Sequence, residues 1–386
     1  LVKLSSQTEK QKKNQGEDME SKGSSLLTAK FTPGKDVSTG DIIDTMEKTY
    51  LDLIHKFDYV DYSIFPKDLT QKLQIPEFLN HICEEPRHEY LGADRAIGVL
   101  MGLAVVDSFG CLLEFMDFDR DRDVVTDFDE KFWDPKYELK NAFDLKPGQF
   151  SDDTSMALCL ADSLLMHDVP DYIDLNKRFL MYYTRGYNNP FRFDLEREDR
   201  ASIGSGPTIG NSLSKFFMTG GIVEFTPTGN QSSNGNGSVM RTGPAGIRFW
   251  KNDEKAMEVA GCQSKTTHQG VEAAECCKII AWIITNMLRS SQRYRTAREA
   301  LDSLDWSILS EKMETSGAKY ICLSEKEPEG SFEPGAWSKN ADDRNWNWKS
   351  SELSVSPTRF KIRAGYIGSY SLDALYLALH CLYHTQ

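Results

Sequence analysis

The sequence predicts an all-α fold, and three observations predict it. After residue 90, apolar residues recur at helical spacing, whereas alternation of strand period is scarce. The periodic stretches are of helix length and end at Gly, Pro, Asn, Asp or Ser, the residues that cap and stop helices. No internal repeat of fixed period interrupts this pattern.

A chain of 386 residues buries a substantial core, as one large domain or two smaller ones. Its hydrophobic share of 40% and charged share of 27% are those of an ordinary soluble globular protein. A formal net charge of −13 argues against nucleic acid or an anionic membrane as the main partner. The eight cysteines form no CxxC pair and mostly lie inside apolar helical patterns, which reads as reduced packing cysteine in an intracellular, cytoplasmic protein. No run of about 18 apolar residues is present to cross a membrane, and the N-terminus lacks the apolar core of a secretory signal.

Residues 1–40 are rich in Lys, Glu, Gln, Ser and Gly and contain one aromatic residue, Phe31. They predict a disordered leader, because they cannot bury enough apolar surface to offset their ordering entropy. Residues 41–91 mix helical stretches with Pro-punctuated connections and form a helical N-terminal extension. The main domain is expected over 92–386. The chain begins at Leu1 rather than Met, which reads as a fragment.

Within the main domain, GADRAIGVLMGLAVVDSFG puts Ile97, Leu100, Met101, Ala104 and Val105 on a wide apolar helix face ending at Asp107 and Gly110. Further helices are expected over about 151–167, 171–184, 206–219, 237–250, 254–264, 270–289, 293–303 and 371–384. Residues 323–363 carry Trp337, Trp346 and Trp348 without helical period, so they read either as a packed excursion near a site or as a surface insertion. In residues 119–130, Asp119, Asp121, Asp123, Asp127 and Glu130 fall at EF-hand positions, but Val124 stands where the sharp turn needs glycine. A solvated acidic loop is expected there; calcium binding is a third, weaker reading.

Four stretches carry candidate chemistry. In GQFSDDTSMALCLADSLL, Ser151, Asp152 and Asp153 open a buried helix, where they either cap it or offer hard oxygen ligands to Mg²⁺. Asp107 and Glu114 sit in the apolar VVDSFGCLLEF, where an acid is costly unless paired, hydrogen-bonded or metal-bound; Asp107 is equally a cap and Glu114 equally an exposed loop acid. GNQSSNGNGSVMRTGPAGI bares backbone N–H groups with glycine, as a diphosphate seat or a generic flexible loop; it is neither a Walker A loop nor a GxGxxG turn. His268 precedes an apolar helix as a cap, a core residue or a binding residue.

Taken in order, AIGVLMGLAVVDSFGCLLEF, GQFSDDTSMALCLADSLL, NGNGSVMRTGPAGI, TTHQGVEAAE and AGYIGSYSLDALYLALH resemble the ADP-ribosylglycohydrolase family over residues 92–384. The resemblance implies an all-helical domain holding two Mg²⁺ ions, which bind ADP-ribose and assist cleavage at its anomeric carbon. It implies Ser151, Asp152 and Asp153 as metal ligands, in place of the family's Thr-Asp-Asp, with Glu114 and Asp153 as the catalytic carboxylates. Asn236, Gly237, Ser238 and Met240 would line the ADP-ribose loop, with His268 beside the substrate. The implied partner is an ADP-ribosylated protein or ADP-ribose derivative. The alternative is a noncatalytic ADP-ribose-binding or crystallin-like structural member.

Two departures qualify the match. Val106 replaces the family's glycine before Asp107, which is expected to tighten packing there. The Asp-x-Asp-Ser/Thr motif that family members carry after a helix like 371–384 is missing before Gln386, and Ala341-Asp342-Asp343 lies out of order. The domain is therefore expected to be truncated at its C-terminus.

Overall fold

The computed structural model describes residues 91–111, 114, 142–191, 194, 196–197, 202–226, 233–332, 343–353 and 369–385. The leader, the extension up to residue 90, the acidic loop 119–130 and Trp337 lie outside the described residues.

The described residues are helical. In chain order they form α1 (Leu91–Gly110), α2 (Asp152–Met166), α3 (Tyr172–Arg185), α4 (Pro207–Met218), a 3₁₀ turn (Asn236–Ser238), α5 (Gly243–Arg248), α6 (Asp253–Lys265), α7 (Val271–Arg289), α8 (Ala297–Asp302), α9 (Trp306–Glu311), α10 (Ser316–Leu323) and α11 (Ser371–His384). Strand pairing among them is limited to two isolated bridges, Gly235 with Tyr370 and Lys326 with Asn345.

Local sequence explains where helices begin. Asp171 caps α3 by accepting from the backbone N–H of Ile173 and Asp174 at 2.9 Å, and Gly186 ends it at φ 70°. Asn252, Thr296, Asp305 and Thr315 cap α6, α8, α9 and α10 in the same way. Thr296 therefore starts its helix later than the expected 293.

One helix expected over 237–250 is two elements, the 3₁₀ turn and α5. Pro244 explains the break: its ring suits the first turn of α5, but inside a longer helix it would clash with the preceding turn and remove a hydrogen bond. The short helices α9 and α10 fall below the length at which apolar period is legible.

α7 is the central element. It packs on α1, α5, α6, α10 and α11, and Ala273, Ala274, Cys276, Cys277, Ile279 and Ala281 on it are buried. Burying side chains of the isoleucine class contributes roughly 1.5–3 kcal/mol each, so this helix anchors the core. α1 is less enclosed than its composition predicts: Met101 and Val105 are 57% and 51% exposed. Val106, expected to tighten packing beside Asp107, is 68% exposed and turns its side chain to solvent instead.

Trp346 and Trp348 are buried, as expected of a packed excursion. Trp348 Nε1 donates to the Ile321 carbonyl at 2.7 Å and Trp346 Nε1 to Glu327 at 2.6 Å. Beside them Arg344 bridges Glu272 at 2.8 Å and Glu327 at 2.7 Å with no exposed surface, and Tyr370 donates to Glu272. Asn234 Nδ2 also donates to Glu272, at 3.1 Å, which ties this network to the segment entering the 3₁₀ turn.

Candidate metal and substrate site

Asp107, in the last turn of α1, reaches across to the start of α2. Its Oδ1 accepts from the Ser151 backbone N–H at 2.9 Å and the Ser151 hydroxyl at 2.6 Å, and its Oδ2 accepts from the Thr154 backbone N–H at 2.9 Å. Ser151, the residue in the N-cap position, makes no side-chain cap of its own. A carboxylate 44 residues upstream thus does the capping that local sequence offered to Ser151.

Asp152 and Asp153 occupy the first turn, where the positive end of the helix dipole favours them. Asp153 Oδ2 lies 3.4 Å from the Ser151 hydroxyl. Asp152 is buried against the backbone of Gly204: a Cβ built there would stand 2.1 Å from Asp152 Oδ1, and φ of +82° independently requires glycine. The Tyr182 hydroxyl donates to the Ile203 carbonyl at 2.7 Å and holds that segment in place.

Four acids therefore act on one another. Burial and then the Asp107 charge push Glu114 up to about 7. Burial, Asp107 and Glu114 push Asp153 up to about 7, and burial, Asp153 and Glu114 push Asp152 well above the usual carboxylate range. After burial, Asp107, Glu114 and Asp153 push the Cys111 thiol up to about 12, so it is no nucleophile at neutral pH.

Carboxylates that repel one another in a buried setting form a donor set for a hard cation. The oxygens of Asp152, Asp153 and Ser151 suit Mg²⁺, and the Thr154 hydroxyl is buried with no hydrogen-bond partner among the described residues. No group of three or more His, Cys, Asp or Glu side chains encloses a metal among the described residues.

Asn236, Gly237 and Ser238 form the 3₁₀ turn, anchored by the Asn236 N–H donating to the Ser369 carbonyl at 2.9 Å and by the bridge between Gly235 and Tyr370. Asn236, Gly237 and Met240 remain partly exposed. The Ser238 hydroxyl is buried and pairs with that of Ser264 at 2.7 Å, so it serves the turn from inside. His268 is buried beneath the turn with its Nε2 edge toward Gly235 and Gly237: Cβ atoms built on them would stand 3.4 and 3.3 Å away.

Arg241, which sequence reading missed, joins the two regions. Its guanidinium has no exposed surface and lies over the Phe179 ring at 4.1 Å. It donates to the Gln263 side chain at 2.9 Å, the Gln263 carbonyl at 3.1 Å and Thr267 Oγ1 at 2.8 Å, with Met156 of α2 at 3.7 Å. The Asp152 charge acts on it. The available signal was an arginine inside an otherwise small and apolar stretch, SVMRTGPAGI. Gly204 carried no local signal, since only its neighbour across the fold explains it.

Among known proteins, the chain is 31% identical over 213 residues to an ADP-ribosylarginine hydrolase of Pseudomonas putida, covering 55% of this chain and 51% of that one. It is 30% identical over 221 residues to an ADP-ribosylarginine hydrolase of Serratia proteamaculans, covering 56% and 54%. An ADP-ribosyl-[dinitrogen reductase] glycohydrolase of Rhodospirillum rubrum matches at 23% over 198 residues, covering 50% and 58%. The chain spans about half the length of the curated relatives it matches. The model of one family, ADP-ribosylglycohydrolase, matches residues 87–386. With that match over most of its length, the chain belongs to the ADP-ribosylglycohydrolase family.

Proposed function

We propose that this protein hydrolyses ADP-ribosyl linkages with Mg²⁺, releasing ADP-ribose from a modified protein or small molecule. The observation that carries the reading is the buried acid cluster at the junction of α1 and α2, built by Asp107 and lodged against Gly204. The names of the relatives favour arginine as the linkage to be tried first. The seven described cysteines are free thiols, which supports a reducing, cytoplasmic setting.

Ser151, Asp152 and Asp153 would hold the metal, up to two ions in the full site. The ions supply charge neutralisation among the acids and polarisation of ribose oxygens. The chain's own residues do the rest. Asp107 fixes the first turn of α2, so that Asp152 and Asp153 keep one orientation. Cleavage next to the ring oxygen develops positive charge on the sugar, which the carboxylates stabilise, while Glu114 moves a proton at its carboxyl oxygen. The Asn236–Ser238 turn and Met240 seat the ADP-ribose, and His268 orients it from below.

Incubation with arginine-, serine- and acid-linked ADP-ribosylated proteins tests the reading. Release of ADP-ribose that stops with EDTA and in Asp152→Asn is expected; no release from any linkage would overturn it.

A further inference from the structure

The buried Arg241 does more than fill space, because its proton ends in a relay. Arg241 Nη2 donates to Thr267 Oγ1 at 2.8 Å, and Thr267 Oγ1 lies 2.9 Å from His268 Nδ1. Thr267 has no exposed surface, and these are its hydroxyl partners among the described residues. A hydroxyl that accepts from a guanidinium keeps one proton to give. The acceptor within reach is His268 Nδ1.

Were Nδ1 itself protonated, two N–H donors would converge on Thr267 Oγ1 and its own buried proton would face no acceptor, a cost of roughly the size of a lost hydrogen bond. The arrangement that satisfies all three groups puts the imidazole proton on Nε2. Further bonds hold the relay still: the Ser212 hydroxyl donates to the Thr267 carbonyl at 2.6 Å, and the His268 N–H donates to the Ser264 carbonyl at 2.8 Å.

We infer that Arg241, through Thr267, fixes His268 as its Nε2–H tautomer, so that this N–H donates to an acceptor oxygen of the ligand seated over Gly235 and Gly237. Arg241 and Thr267 are positioning residues, since neither has any exposed surface with which to touch a ligand. Glycine at both positions lets the Nε2 edge lie close beneath the turn; a methyl on Gly237 would stand 3.1 Å from Cε1 and 3.3 Å from Nε2. Burial and the Arg241 charge also push His268 down to about 3, which keeps the ring neutral at working pH. His268 is then a fixed donor and not an acid or base.

The identity of the ligand as ADP-ribose rests on the proposed function; the tautomer does not. Long-range ¹H–¹⁵N correlation spectra of the full chain with ¹⁵N-labelled histidine, with His268 assigned through His268→Gln, report the tautomer directly. The expected result is an Nε2–H pattern unchanged from pH 6 to 9, retained in Thr267→Ser and lost in Thr267→Val. An Nδ1–H or imidazolium pattern in the wild-type chain would overturn the inference without recourse to any variant.

Calorimetry with ADP-ribose supplies the second readout. Thr267→Val is expected to weaken binding roughly threefold to tenfold, the worth of one hydrogen bond, with Thr267→Ser within twofold of wild type. Unchanged affinity in Thr267→Val also counts against the relay. A wild-type chain that shows the Nε2–H pattern and binds no ADP-ribose would sink the ADP-ribose reading and leave the relay standing.

Discussion

Two buried clusters of charge in this molecule are built on opposite principles. Around Arg344, a cation meets Glu272 and Glu327 at 2.8 and 2.7 Å, and Tyr370, Trp346 and Asn234 donate to the same carboxylates. Around Asp107, the carboxylates of Glu114, Asp152 and Asp153 act on one another, and Glu114 and Asp153 are pushed up to about 7. The first cluster closes its own electrostatics and pins Trp346, Tyr370 and α7 together. The second leaves like charges together, an arrangement that costs stability unless a ligand supplies the missing positive charge. Buried charge that is neutralised internally is structure; on the function proposed above, buried charge of one sign is a seat for a cation.

Arg344→Met should break the comparison most visibly. Removing the cation leaves Glu272 and Glu327 buried and unpaired, so denaturant unfolding should show a loss of about 3–5 kcal/mol. A loss below 1 kcal/mol would mean that the network is no more than a surface pair in effect.

Gly204→Ala comes next. It forces a Cβ toward Asp152 Oδ1 at a φ of +82°, and about 2–3 kcal/mol of destabilisation is expected. Mg²⁺ should reduce that loss less than it stabilises the wild type, because Asp152 must move. Equal Mg²⁺ stabilisation in both chains would show that Asp152 does not contribute to the ion's seat.

The His268→Gln substitution separates charge from packing. A histidine pushed down to about 3 binds its proton in the unfolded chain first, so its contribution is full above about pH 6.5 and is lost as pH falls below it. Wild type should therefore lose roughly 2 kcal/mol more than His268→Gln between pH 6.5 and 5. Parallel stability curves would mean that the ring titrates normally.

The smallest effect carries the most telling sign. Glu114→Gln removes one like charge from the acid cluster and should leave the metal-free chain unchanged or stabilised by up to about 1 kcal/mol, after allowance for screening. Glu272→Gln should cost about 2 kcal/mol, because it strips a partner from Arg344. Glu272→Gln is expected to lower the midpoint of unfolding, and Glu114→Gln is expected not to lower it.

Much of this was legible in the sequence, for physical reasons that differ by element. α2, α3, α4, α6, α7 and α11 combine apolar period with a capping or breaking residue at one end, and their expected bounds agree with the structure to within a residue. The stretch 237–250 was less clear, because its apolar period runs through Pro244 and conceals the turn that precedes it. The acids were visible as residues, and Asp107 as a possible cap, but not which helix it caps: a cap supplied from another helix has no local signature there, and Ser151 looked sufficient alone. Arg241 and Gly204 were missed for the same reason, since each is explained by partners far along the chain.

The central claim is that the acid cluster is a cation seat, and isothermal titration of the metal-free chain with Mg²⁺ tests it most directly. The account predicts Mg²⁺ binding by the wild-type chain that is abolished in the Asp152→Asn, Asp153→Asn double variant and retained in Lys349→Met, which lies on the Trp348 side of the molecule. Wild-type chain that takes up no Mg²⁺, or a double variant that binds it as well as wild type, would contradict the account.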